Sequence, residues 1–212
     1  MPCVAFVSLL AGVAVSAEVL EVARSFPDGG GYDDSWKGSG SPEEVRHQGE
    51  VILAKAERSY CCGYTFAVAM RVLGERGLLE GKSVDQVRRF QKLWYGSTDK
   101  DREVLCAYAA QELGVGREVP LEKARPGDFV QLWRASGSGH SVVLVDWVRE
   151  DGRVVGMKYR SSQGSTGGIA DKVEYFSDAP GRKGGIDRKR THACRLSEAS
   201  AKENSDKSPS KG

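Results

Sequence analysis

The chain has 212 residues, 40% hydrophobic and 28% charged, enough to enclose one buried core and too few for two full domains. Its 31 basic and 29 acidic side chains leave a formal net charge of +2, so no long-range field argues for nucleic acid or an anionic membrane as partner. No apolar run reaches the ~20 residues of a spanning helix, which excludes a multi-pass membrane protein and stable membrane insertion.

Residues 1–17 carry an apolar run from Val4 to Val15, followed by Val15-Ser16-Ala17 ahead of Glu18. They read as a signal peptide, which implies a secreted or periplasmic protein. The remaining cysteines are Cys61, Cys62, Cys106 and Cys194. An even number in an oxidising compartment leaves a Cys106–Cys194 disulfide open. Residues 18–42 are expected to form a flexible N-terminal segment, because 26–42 place Gly, Ser or Asp at almost every turn. The folded domain is expected over 43–196.

From 43 to 57 the spacing of Val45, Val51, Ile52 and Ala56 fits a helix. A second helix is predicted from about Cys62 to Arg76, with Phe66, Met70 and Leu73 on one face and Gly77 closing it. Ser83-Val-Asp-Gln86 has the form of a capping box, and Val104–Leu113 reads as a further helix ended by Gly114. Beyond Arg125-Pro-Gly-Asp128 the pattern changes to β-branched and aromatic runs at Phe129–Trp133, Ser141–Val148 and Val154–Tyr159. Lys172–Phe176 and Thr191–Leu196 add further strand candidates, and 197–212 reads as a disordered tail. Helices first and strands second give an α+β domain, its N-terminal helices packed on an antiparallel sheet.

Ser59-Tyr-Cys-Cys-Gly-Tyr-Thr-Phe66 puts two thiols at the predicted start of a helix. There, free N–H groups and the helix dipole favour a thiolate, the form of cysteine that attacks. A nucleophilic thiol needs a base, and the histidines are His47, His140 and His192. His140 lies in Gly137-Ser-Gly-His140 at the open end of a strand, where small neighbours let the ring reach a cleft. His47 falls in a helix-like segment and His192 near the tail, so both read as surface or packing residues. If a hairpin turns at Glu150-Asp-Gly-Arg153, the residue facing His140 lies between Ser161 and Gln163. Gln163 is the candidate orienter of the imidazole, with Ser161 as its alternative.

Cys61-Cys-Gly-Tyr-Thr65 resembles the Cys-Ser-Gly signature of NlpC/P60 cysteine peptidases. The order of cysteine, Arg-Pro-Gly-Asp strand, Gly-His strand and polar residue is also similar, over roughly residues 58–176. The resemblance puts Cys61 at the nucleophile position, Cys62 at the following serine, His140 at the base and Gln163 at the third polar position. Tyr60 stands where an Asp commonly precedes the nucleophile, and the helical insert before the first strand is longer than usual. The resemblance implies a papain-like core and hydrolysis of amide bonds in peptidoglycan stem peptides through a thioester; the protein is expected to be a monomer. Oxyanion binding would fall to the N–H of Cys61 or Cys62.

Cys62, Tyr60, Ser161 and Trp133 are the candidate substrate-contacting residues, and Cys62 is also the alternative nucleophile. No C-x-x-C or H-x-x-x-H spacing supports a metal, and Gln163-Gly-Ser-Thr-Gly-Gly168 lacks the Lys and following helix of a phosphate loop, so no cofactor is expected. A non-catalytic peptide- or glycan-binding module and a thiol acyltransferase remain alternatives to the hydrolase.

Overall fold

The computed structural model describes residues 18–100 and 102–199. The leader expected over 1–17 and the tail beyond 199 lie outside them. Helix α1 (18–25) opens the described chain and is followed by β1 (Gly29–Gly30), β2 (Val45–His47) and β3 (Glu50–Leu53). Helices α2 (Cys61–Glu75), α3 (Val84–Trp94) and α4 (Cys106–Leu113) come next. The second half holds β4 (Gly116–Val119), β5 (Phe129–Arg134), β6 (Gly139–Glu150), β7 (Arg153–Gln163), β8 (Gly168–Tyr175) and β9 (Ile186–Leu196).

Seven strands form one antiparallel sheet in the order β1-β8-β7-β6-β5-β9-β4, and β2 and β3 pair separately. The protein is therefore α+β, with helices against a mostly antiparallel sheet. Helix α2 is apolar almost all round, from Tyr64 to Leu73, as suits a helix buried on every side. One core layer joins the helices to one sheet face through Phe66, Phe90, Trp94, Phe129 and Val143. A second covers the other face with Leu132, Leu144, Met157, Tyr159 and Phe176. Among the described residues no helix is long and apolar enough to cross a membrane.

Two local differences from the sequence reading have clear causes. The stretch 43–57 is not a helix: β2 and β3 form a hairpin whose two-residue loop is Gln48-Gly49, with φ of 50° and 83° between paired His47 and Glu50. Successive positive φ values match the twist of a tight hairpin, and Gly49 supplies the conformation most side chains avoid. The apolar spacing fitted both periods, and the glycine is what decided between them.

Nor does the folded body begin near Pro42. Val19, Val22, Ala23 and Phe26 are buried in the main core, and the Tyr64 hydroxyl donates to Ala23 O at 2.8 Å. The buried Arg160 guanidinium donates to Ala23 O at 3.1 Å and Phe26 O at 2.9 Å. Residues 29–30 then add an edge strand to β8. A Gly-rich stretch is a turn-rich stretch, and here its turns carry the chain over the start of α2.

Elsewhere pattern and structure agree closely. Ser83 and Gln86 make the reciprocal capping box of α3, and Gly77 and Gly114 follow α2 and α4 with φ of 69° and 73°. Glu150 pairs with Arg153 around Asp151-Gly152, whose φ values of 47° and 76° make the β6–β7 hairpin turn.

Candidate active site

Tyr60 is the N-cap of α2, and its side chain makes no capping hydrogen bond; the hydroxyl reaches instead to Gly38 O at 2.7 Å. The first-turn N–H groups of α2 are thus left without a side-chain cap, at the end of the helix where backbone dipoles favour negative charge. Loop 38–41 lies tightly over this turn. Tyr60 N donates to Gly40 O at 3.1 Å, and a Cβ at position 63 would overlap the Gly40 carbonyl. Gly63 is what lets loop and helix meet.

Cys61 and Cys62 are both half-buried free thiols in the first turn. The Cys61 thiol is held well below the usual range for cysteine. A hydrogen bond from the Cys62 thiol comes first among the causes; burial opposes it, and the charge and hydrogen bond of His140 and the Ser141 N–H reinforce it. Cys62 moves the other way, pushed up by its bond to the Cys61 sulfur and by burial. Of two adjacent thiols, the one facing imidazole and backbone N–H becomes the anion, and its neighbour keeps the proton.

His140 enters from β6, opposite Leu132 of β5. It is buried, its ring edge-on to Tyr159 at 5.6 Å between centroids. Gly139 creates the opening, since a Cβ there would lie 2.8 Å from the Trp133 ring. His140 Nε2 is 3.0 Å from Gln163 Oε1, at the end of β7.

The tautomer follows from a residue the sequence reading passed over. The Thr166 hydroxyl has one proton and two carbonyl acceptors, Gly168 O at 2.7 Å and Gln163 O at 3.2 Å. Toward Gln163 Nε2, at 3.0 Å, it therefore accepts. That orients the amide with its oxygen toward His140, and an amide oxygen only accepts. His140 Nε2 then carries a proton, and in the neutral ring the lone pair sits on Nδ1, the nitrogen left for Cys61. We predict that Thr166→Val lowers the rate of Cys61 alkylation at pH 6 by about tenfold, the scale of one buried hydrogen bond, and that Thr166→Ser restores it. A Val variant as reactive as the parent would show that the amide needs no such anchor.

The remaining candidates separate in space. Tyr60, Cys62 and Trp133 line a cleft of about 400 Å³ together with Cys61 and His140. Ser161 does not line it: fully buried, it donates to Ser141 O at 2.7 Å and ties β7 to β6. His47 bonds Lys82 O at 2.7 Å and His192 bonds Glu118 at 3.0 Å, each away from the thiol pair. Cys106 and Cys194 are neighbours but free, both buried, with Cys194 Sγ 3.6 Å from Cys106 O. Their contact and their burial push the Cys194 thiol well up. Among the described residues no group of three or more His, Cys, Asp or Glu is arranged to hold a metal ion.

Comparison of the chain with protein-family models, with curated proteins and with solved structures returned no match.

The cleft also contains groups that sequence reasoning missed. Gln131 of β5 is buried at its wall and accepts from Ser141 Oγ at 2.6 Å. Trp36 rises from the Gly-rich stretch, and Tyr95 and Leu105 come from the ends of helical segments. The available signal was aromatic residues, Tyr32 and Trp36, embedded in a stretch otherwise made of turn formers.

Proposed function

We propose that the protein is a cysteine hydrolase of papain-like, NlpC/P60-type construction, acting on an amide bond in a peptide-like substrate. The observation that carries this reading is one constellation: a Cys61 thiol favoured as thiolate at a helix start, within reach of an imidazole whose far nitrogen is anchored by Gln163. A secreted or periplasmic site of action and peptidoglycan stem peptides as the polymer go with the family resemblance, and digestion of purified sacculi tests that part.

In the first step the Cys61 sulfur bonds to the scissile carbonyl carbon, and the oxygen takes up the charge beside the first-turn N–H groups of α2. As the C–N bond breaks, protonated His140 gives its Nδ1 proton to the leaving amine. A water molecule then gives a proton back to His140 while its oxygen bonds to the thioester carbonyl. Breaking the C–S bond restores the thiolate and releases the acid. Gln163 holds the ring through both transfers, a role that fits an acceptor on Nε2.

The test needs no natural substrate. p-Nitrophenyl acetate is expected to give a burst of one equivalent of nitrophenol and a thioester-linked acetyl group on Cys61, visible by intact mass and peptide mapping. Cys61→Ala and His140→Ala abolish the burst if the reading is right. A burst unchanged in both variants, or its absence from the parent, would instead favour a binding module. A product that depends on added amine would identify a transferase.

A further inference from the structure

The walls of the cleft say what kind of group sits beside the reacting carbonyl. Trp36, Tyr60, Trp94, Tyr95, Leu105 and Trp133 give the cleft a largely aromatic lining beside the polar Gln131, Ser138 and Ser141, and no Asp, Glu, Lys or Arg belongs to it. The charged pair against Trp133 is spent internally: Arg190 lies over the Trp133 ring at 5.1 Å and pairs with Glu103 at 3.3 Å. Beyond Cys61 and His140, whose charges offset each other, a charged group entering the cleft would lose its water without gaining a counter-ion.

Two of these apolar residues are held there against their backbone preference. Trp36 has φ of 53° and Leu105 φ of 44°, in a region that bulky side chains rarely adopt. Such conformations persist only where surrounding structure enforces them, and they concentrate at binding and catalytic sites. Trp36 is also 69% exposed, a large ring left in water at the rim, with its Nε1 donating to Tyr32 OH at 3.2 Å. An exposed aromatic at the mouth of an aromatic cleft is a surface awaiting an apolar partner.

We propose that the substrate places an uncharged aromatic or bulky aliphatic group in this cleft, next to the carbonyl that Cys61 attacks. The inference rests on Cys61 being the nucleophile. It restricts a peptide-like substrate to one whose residue at this position is apolar, since a carboxylate-bearing or cationic residue finds no counter-ion in the wall beyond the mutually paired Cys61 and His140.

Alkylation of Cys61 by a matched series of iodoacetamides tests it, each reagent losing iodide as the sulfur–carbon bond forms. The probes are iodoacetamide, N-benzyliodoacetamide and N-(4-carboxybenzyl)iodoacetamide, with every rate divided by that for free cysteine. The benzyl reagent is expected to saturate and to react at least about tenfold faster than the parent compound, the scale of burying one aromatic ring. The carboxyl group should cancel that gain, and Trp36→Ala or Trp133→Ala should lower the ratio of benzyl to parent rates. Equal normalised rates, or preference for the carboxylated probe, with Cys61 still reacting fast at pH 6, would overturn the inference and leave the hydrolase reading standing. Slow reaction of Cys61 with all three would remove both.

Discussion

Iodoacetamide at pH 6 is expected to modify Cys61 first among the four described cysteines, and His140→Ala to reduce that advantage. An unperturbed thiol is only about 0.3% ionised at pH 6, so full ionisation raises the thiolate population by up to ~300-fold. A more acidic thiolate is also a weaker nucleophile, with a Brønsted slope of ~0.4–0.5, and the net gain is on the order of tenfold. Cys62 stays behind because its thiol is pushed up, and Cys194 because burial and the Cys106 contact push it up.

The sign of the pH dependence follows from the causes. Because the Cys61 thiol is held low, its labelling rate should stay on a plateau below the ordinary thiol range and fall only at more acidic pH. Cys62→Ala removes the thiol hydrogen bond, the largest stabiliser of that anion, and His140→Ala removes its charge and hydrogen bond. Each change should move the fall in rate to higher pH. Rates of peptide-mapped alkylation from pH 4 to pH 9 check this. Uniformly slow labelling would return the fold to a binding role, and faster labelling of Cys62 would shift the nucleophile by one residue.

Much of this site was legible because its parts are short and local. A thiol before an apolar helix, a Gly-His pair opening a strand, and a tight Asp-Gly turn together place Gln163 beside His140, since a hairpin fixes its own register. What stayed hidden depends on contacts distant in sequence. Gln163 is the candidate orienter with Ser161 as its alternative, and their hydrogen-bond partners separate them: Ser161 donates to a backbone carbonyl, and Gln163 meets the imidazole. Two residues apart on β7, they share a face of the strand, so alternation does not distinguish them. The hydroxyl at Ser161 satisfies itself on β6 instead. Thr166 acts through the amide of another residue, so no spacing rule identifies it. The stretch 26–42 was misread for a similar reason: composition reports its turns, and only the carbonyls of Ala23 and Phe26 meeting Arg160 explain why the neighbouring chain is fixed.

Gly63→Ala is expected to do more damage than its size suggests, because the added methyl group meets backbone. Its Cβ would overlap the carbonyl of Gly40 and lie 2.8 Å from Ser39 O. A side chain in the way could turn aside, but a carbonyl fixed by the Tyr60 N–H moves only with its loop. Overpacking of this kind costs about 1–3 kcal/mol, occasionally more, and the shift falls on the first turn of α2. That turn carries Cys61, so the variant should lose both melting temperature and low-pH alkylation of Cys61. Loop 38–41 also holds Tyr60 through Gly38 O and Tyr95 through Ser39 O, so its displacement opens the aromatic wall. Gly74→Ala is the matched control, a glycine in the same helix whose Cβ position is open. It replaces glycine by a better helix former and should leave stability equal or up to ~1 kcal/mol higher. Thermal melts and pH 6 labelling of both variants separate the cases. A Gly63→Ala protein that melts and labels like the parent would mean that the loop yields freely, and that the glycine does not set the position of the nucleophile.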